Sequence, residues 1–367
     1  MKYALRFGTA LLCAALAQPL FAQTTSKLDA ARAAGSPAGL TGAEAARLIW
    51  VPSGPTSAYI SNQTKSVVLA WWRNFWDLGQ DQDPLSTMAA SYTNHDPREP
   101  EYGPQNLVNF LHKDRPPGAS SNAPGGARKV QPQMFAIADG DLVFIAHAPA
   151  NFDPAHPPAG VDPGAQVAGN LVRVQDGKIA EEWFFSGAPP GAGGVGADIP
   201  GAPRRQQTTQ PGADKIDVAA GSIRPAVDDG TTILYDSGTS TVEQQVANKE
   251  LVLDWLQDFW SNRDFSGWPK YMKADFRNHD PREPAVGAQA LVDWLTTKMS
   301  ANPKGAPPKG SGHPHLFLLA DGDLVFIGGS PETNNHFDPK AQIGKMSGNI
   351  LRIENGKIAE WWFVGAE

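Results

Sequence analysis

Apolar residues recur along this chain in two rhythms. Over Asn62–Trp76, Val67, Val68, Trp71, Trp72 and Phe75 stand at helical spacing, as do Leu251, Val252, Trp255 and Phe259 over Val246–Trp260. That spacing predicts an amphipathic helix in each segment, with one face turned to a core. Further amphipathic segments are expected at Asn106–Leu111 and Ala290–Leu295. Downstream of each, Asp139-Gly140, Asp176-Gly177, Asp321-Gly322 and Asn355-Gly356 sit between β-rich runs. These dipeptides suit tight hairpins, because type I′ turns need positive φ. Helices followed by antiparallel strands predict an α+β fold.

The pattern occurs twice because the sequence does. Residues 94–100 read Asn-His-Asp-Pro-Arg-Glu-Pro, and residues 278–284 read the same. Asp-Gly-Asp-Leu-Val-Phe-Ile stands at 139–145 and 321–327, and Gly-Lys-Ile-Ala-Glu at 177–181 and 356–360. A period this long suits a tandem domain duplication rather than a solenoid. From Gly187 to Pro203 most residues are Gly or Pro, which predicts a linker. The expected plan is domain one at 41–187, a linker at 188–224 and domain two at 225–367.

The first 22 residues stand outside that plan. Lys2 and Arg6 precede an apolar run from Phe7 to Leu16, and Leu20-Phe21-Ala22 ends on a small residue. This predicts a secretory signal peptide cut after Ala22, hence a periplasmic or secreted protein. Removing it takes the net charge from −7 to −9, by loss of Lys2 and Arg6, and removes Cys13, the single cysteine. Without cysteine, disulfides, thiol nucleophiles and thiolate metal sites are excluded. The acidic balance argues against nucleic acid as a partner. After residue 22 no apolar run is long enough to span a bilayer, so no membrane anchor is expected.

Chemistry concentrates in the duplicated Asn-His-Asp-Pro-Arg-Glu-Pro block. Pro97 and Pro281 push the preceding Asp into extended geometry, so a stiff turn can aim His95, Asp96, Arg98 and Glu99, and equally His279, Asp280, Arg282 and Glu283. Such groups can serve proton transfer. They also fit a structural turn. If Asp176-Gly177 is a two-residue turn, alternation puts Asn170, Val172, Val174, Ile179, Glu181, Trp183 and Phe185 on one face. Arg173, Glu182 and Phe184 then take the other face. A face with one Asn and one Glu fits a pocket lining or a core with a satisfied polar pair. His313 and His315 share a strand face and with His279 could make a metal site. Gln131 and Gln133 replace them in the first copy, and no metal is expected.

The succession of amphipathic helix, aromatic-x-Asn-His-Asp-Pro, Gly-x-Gln-x-Leu-Val, Asp-Gly-Asp-Leu-Val-Phe and Arg-x-x-x-Gly-Lys-Ile-Ala-Glu-x-Trp resembles the SnoaL-like group of the nuclear transport factor two-like superfamily. The resemblance spans both copies. It implies two cone-shaped domains, each a curved sheet wrapped on helices around a deep, mostly apolar pocket. Because related domains often dimerise through their sheets, it also implies an intrachain pseudo-dimer. Members include polyketide cyclases, ketosteroid isomerases, dehydratases and proteins that only bind. Where the group usually ends in His-Trp-Asp, this chain has Glu182 and Trp361 at the His position and Phe184 and Phe363 at the Asp position. The family's pocket acid corresponds to Asn170 and Asn349.

The resemblance assigns candidate roles. Asp96 and Asp280 match the Asp-Pro turn that supplies the isomerase general base, and His95 and His279 would orient them or share the proton. Asn170 and Asn349 would hydrogen-bond an enolate. Trp72, Trp255, Arg98 and Arg282 would bind substrate, a small apolar or aromatic molecule, with no cofactor. The alternative is a non-catalytic ligand-binding or assembly module.

Overall fold

The computed structural model describes residues 58–80, 82–95, 102–114, 130–148, 153, 156, 162, 164, 167–185, 224–225, 231–280, 283–301, 317–329 and 347–365. The signal segment, Asp96, Arg98, Arg282, His313 and His315 lie outside the described residues. The first half runs α1 (Ala58–Trp71), α2 (Pro84–Thr87), β1 (Met88–Asn94), α3 (Pro104–Asp114), β2 (Gln133–Asp139), β3 (Leu142–His147), β4 (Gly169–Gln175) and β5 (Lys178–Phe185). Short strands β6 (Arg224–Pro225) and β7 (Thr232–Ile233) follow. The second half repeats the order as α4 (Val242–Trp255), α5 (Trp268–Tyr271), β8 (Met272–Asn278), α6 (Ala288–Ala301), β9 (Phe317–Asp321), β10 (Leu324–Gly329), β11 (Ser347–Glu354) and β12 (Lys357–Val364). The fold is α+β, with two mixed sheets ordered β1-β5-β4-β3-β2-β7-β6 and β8-β12-β11-β10-β9.

The expected long helices form, and each changes character in its last turn. α1 passes directly into a π-helical segment, Trp72–Asp77, and α4 into Leu256–Ser261. The wider turn is closed by i→i+5 bonds, Leu78 N–H to Arg73 O at 2.9 Å and Asn262 N–H to Gln257 O at 2.8 Å. The helix ends carry indole and phenyl rings stacked four residues apart. Trp71 lies on Phe75 at 5.8 Å and Trp255 on Phe259 at 5.9 Å. Trp255 therefore answers Trp71, and Leu256 stands where the first half has Trp72.

The last hairpin of each half departs from simple alternation. Asp176 and Gly177, like Asn355 and Gly356, have positive φ, as a type I′ turn requires. Val174 pairs with Ile179, but Arg173 pairs with Glu181, so Ala180 is an extra residue in β5. Ala359 is the same extra residue in β12, between Arg352↔Glu360 and Ile353↔Ile358. A bulge of this kind slips the register by one and turns every later side chain to the other face. Val172 consequently faces Glu182, Leu171 faces Trp183 and Asn170 faces Phe184. Asn170, Val172, Glu182 and Phe184 share one face, and Leu171, Arg173, Glu181, Trp183 and Phe185 share the other. The Asp139-Gly140 hairpin also differs from expectation. Its loop is Gly140-Asp141, and Asp139 closes β2.

Both faces of the sheets are covered, which accounts for the near-continuous apolar runs in β2, β3, β9 and β10. One face of the first sheet packs Val143, Ile145, Val172 and Ile179 against Val68, Trp71, Trp72 and Phe75 of the first helix and Leu107, Val108 and Leu111 of α3. The opposite faces of the two sheets meet each other. Phe144 stacks on Phe326 at 4.2 Å, Trp183 meets Phe317 edge-on at 5.0 Å, and Trp362 meets Phe135 edge-on at 5.1 Å. Polar contacts across this seam are reciprocal. Ala138 N–H donates to Asp321 Oδ2 at 2.9 Å, and Ala320 N–H donates to Asp139 Oδ2 at 3.0 Å. Lys65 pairs with Asp321 at 2.5 Å, and Lys249 pairs with Asp139. β7 adds to the first sheet beside β2, with Leu234 and Tyr235 donating to Gln133 O and Met134 O. The lead-in to the second half is thus laid along the first. No helix among the described residues is long and apolar enough to cross a membrane.

Candidate functional site

The bulge in β5 decides which acid points inward. Glu182 sits on the helix-covered face and is 1% exposed. Its Oε2 accepts a hydrogen bond from Tyr92 Oη at 2.5 Å, and its Oε1 accepts one from Asn170 Nδ2 at 2.5 Å. Tyr92 comes from β1 and Asn170 from β4, the two strands that flank β5. Three adjacent strands thus deliver a buried carboxylate held between two donors. Such an arrangement fixes both the direction and the rotamer of the acid.

The wall beside this acid carries unusual polar groups. On β3, His147 lies on the same face as Ile145, which is the direct partner of Asn170. Diagonal neighbours of this type are within reach of long side chains. The His147 ring contacts Trp72 at 4.3 Å, and Trp72 stacks on Trp76 at 5.6 Å. Trp72 Nε1, Trp76 Nε1 and His147 Nδ1 are buried and meet no hydrogen-bond partner among the described residues. Burial pushes His147 down to about 4, so the ring is neutral at pH 7. Asp77, at the end of the π-helical segment, is pushed up to about 6 by burial, against the lowering effect of the Gln131 N–H that it accepts at 3.1 Å. The described part of this wall offers aromatic area, uncommitted N–H groups and the acids Glu182 and Asp77.

The second half places different chemistry at the same positions. Phe276 stands for Tyr92, and Trp361 for Glu182. Asn349 is retained, and its Oδ1 accepts from Trp361 Nε1 at 2.8 Å. Trp255 is 1% exposed within the core, edge-on to Trp361 at 5.9 Å.

The duplicated histidines lie on the opposite face from the asparagines. His95 stacks on Trp183 at 5.0 Å with 4° between the rings, and its Nε2 meets Glu181 Oε1 at 2.7 Å. His279 stacks on Trp362 at 4.6 Å and 12°, and its Nδ1 meets Asp162 Oδ2 at 2.7 Å. Asp162 belongs to the first half, so this buried pair also crosses the seam. The backbone N–H groups of His95 and His279 donate to Glu182 O and Trp361 O, which fixes both turns on the last strand. The structure therefore does not bring His95 to Asn170, nor His279 to Asn349. Asp280 is buried, and its N–H donates to Asn278 Oδ1 at 2.9 Å in an Asx turn. Asn278 Nδ2 donates to Glu283 Oε2 at 2.8 Å. These bonds give the Asn and Glu of the repeated block a structural role in the second half. Among the described residues no group of three or more His, Cys, Asp or Glu is disposed to hold a metal ion.

Residue-by-residue alternation passed over Glu182, Tyr92 and His147. The signal for Glu182 was the Gly-Lys-Ile-Ala-Glu block, where the bulge falls. His147 is a histidine present in one copy only, with Gly329 at the matching position of the other.

The sequence matches no family model and no curated protein. In structure the chain is similar to a candidate polyketide cyclase from Bacillus cereus, at 17% identity and a TM-score of 0.24, over 35% of this chain and 83% of that one. It is similar to a SnoaL-like polyketide cyclase from Agrobacterium tumefaciens, at 15% identity and a TM-score of 0.21, over 32% of this chain and 89% of that one. A nuclear transport factor two-like protein of unknown function from Mesorhizobium loti is similar at 17% identity and a TM-score of 0.22, over 34% of this chain and 91% of that one.

Proposed function

We propose that this is an exported protein whose first half binds a small, uncharged apolar or aromatic carbonyl compound and removes a proton from the carbon next to the carbonyl. The observation that carries the reading is Glu182, buried on the helix-covered face and held by Tyr92 and Asn170. In the proposed step the Glu182 carboxylate takes the α-proton, the C–H electron pair moves into the enolate, and the enolate oxygen gains negative charge. The Nε1–H groups of Trp72 and Trp76, unpartnered among the described residues, are donors available to meet that charge. An anionic ligand is disfavoured by the buried Glu182 carboxylate. The reciprocal Asp139 and Asp321 contacts support reading the two halves as an intrachain pseudo-dimer that arose by tandem duplication.

A specific observation favours a second reading, binding without turnover. Both Glu182 oxygens are already engaged by donors, so the acid can serve as a structural element of a pocket. Deuterium exchange separates the two. With 1-acetonaphthone in D2O, loss of the methyl proton signal should be accelerated by the wild-type protein, and about 10²-fold less by Glu182→Gln. Binding without exchange supports the second reading, and absence of both binding and exchange refutes both. Loss of exchange in Asp96→Asn with Glu182→Gln unaffected would move the base to Asp96.

A further inference from the structure

We infer that the chain has one working pocket, in the first half, and that the matching interior of the second half is closed by its own side chains. The protein then takes one ligand molecule per chain. This inference rests on the small-molecule reading above and adds its stoichiometry and its place.

The two halves diverge position by position while keeping the same strand order, bulges and turns. Where β5 carries Glu182, β12 carries Trp361, which is 5% exposed inside the second core. Its indole packs edge-on against Trp255 at 5.9 Å and Trp260 at 5.8 Å, and lies 6.5 Å from Phe276. Its Nε1–H donates to Asn349 Oδ1 at 2.8 Å, so Asn349 is used within the protein. Phe276 lacks the hydroxyl that Tyr92 offers. A tryptophan at the place of a glutamate both adds bulk to this face and removes the charge.

At the positions of Trp72 and His147 the unpartnered polar atoms divide the same way, whereas Trp71 Nε1 and Trp255 Nε1 are unpartnered in both halves. Trp72 and His147 leave indole and imidazole nitrogens buried without partners among the described residues. Their counterparts are Leu256 and Gly329, which have no polar side-chain atom to leave. A buried donor without a partner is destabilising, so neighbouring unpartnered groups such as Trp72, Trp76 and His147 mark a place that water or a ligand completes. The second half has replaced those groups with apolar ones and spent its remaining asparagine on its own tryptophan. It keeps the groups that face the first half, namely Asp321, Lys249 and the Trp362–His279 stack. Its retained function is to buttress the first sheet.

Crystals of the full chain, exposed separately to xenon under pressure and to 1-acetonaphthone, test this directly. The expected result is density for a probe against Trp72, Val172 and Glu182, and none between Phe276, Trp361 and Asn349. Density in both halves, or in the second alone, overturns the single-pocket inference while leaving the small-molecule reading intact. Density in neither half overturns the small-molecule reading itself. Trp361→Leu should open the second interior and admit xenon there; a folded Trp361→Leu protein that still excludes xenon would show that Trp361 is not the plug.

Discussion

Asp139 offers a quantitative test of how the two halves are joined. Its side chain is fully buried, it accepts the Ala320 N–H at 3.0 Å, and it pairs with Lys249, itself mostly buried. Asp139→Ala therefore strands an ammonium group and a backbone N–H of the second half at once. Removing one member of a buried ion pair costs about 3–5 kcal/mol, because the remaining charge stays desolvated. Lys249→Met leaves the Asp139 carboxylate buried without this cation and should cost about 3 kcal/mol on the same ground. The double variant leaves only the Ala320 N–H without a partner, about 1–3 kcal/mol. The double-mutant cycle should then show a coupling of about 3–7 kcal/mol between residues that lie in different halves. Urea unfolding at pH 7, followed by far-ultraviolet circular dichroism and tryptophan fluorescence, supplies the four free energies. The mirror substitution Asp321→Ala should fall within about 1 kcal/mol of Asp139→Ala, because Lys65 and the Ala138 N–H reproduce the arrangement. A cost below about 1 kcal/mol for either aspartate, or additive effects in the cycle, would contradict the reciprocal clamp.

Other perturbations reach the interior of the first half and the seam. His147 is held neutral in the folded protein, with its pKa lowered from 6.5 to about 4. A lowered histidine contributes stability that is present above the unfolded value and lost as pH falls through the folded one. The wild type should therefore lose up to about 2 kcal/mol more than His147→Phe between pH 7 and pH 5, read as urea midpoints; equal losses would refute the assigned burial effect. Asp77 acts in the opposite direction, since its pKa is raised from 3.8 to about 6. Its contribution is full below pH 3.8 and is lost as pH rises through 6, so Asp77→Asn should raise the urea midpoint at pH 7 and change it little at pH 4. Gly322 has a φ of +59°, and a Cβ there would lie 1.6 Å from Ser237 O. Gly322→Ala should destabilise by about 3 kcal/mol or more, and thermal unfolding unchanged by this substitution would show that the Ser237 approach is misplaced.

Much of the fold was legible because it follows from periodicity. The helices at 58–71 and 242–255, the hairpins at Asp176-Gly177 and Asn355-Gly356, and the α+β order all come from local rules. What periodicity could not supply was the extra residue at Ala180. A period-2 reading carried across a bulge puts Glu181 and Trp183 on the wrong side, and the inward acid becomes invisible. Trp72 and Trp255 hold unlike positions, because at the offset that relates the Asn-His-Asp-Pro blocks Trp255 answers Trp71 and Leu256 answers Trp72. The repeated His was conspicuous in sequence, yet its ring lies on the Trp of the last strand and faces the seam. Asp139 and Asp321 read as turn residues because a hairpin explains Asp-Gly locally. Their long-range role depends on which sheet faces lie together, and a single-strand pattern holds no record of that.

The most direct test of the central claim is calorimetric titration of 1-acetonaphthone into the wild-type protein and into Glu182→Gln, Tyr92→Phe and Asn349→Leu. A pocket centred on Glu182 predicts one molecule bound per chain, affinity weakened at least about tenfold by each of the first two substitutions, and no change with the third. Two equivalents per chain, or a loss confined to Asn349→Leu, would contradict it.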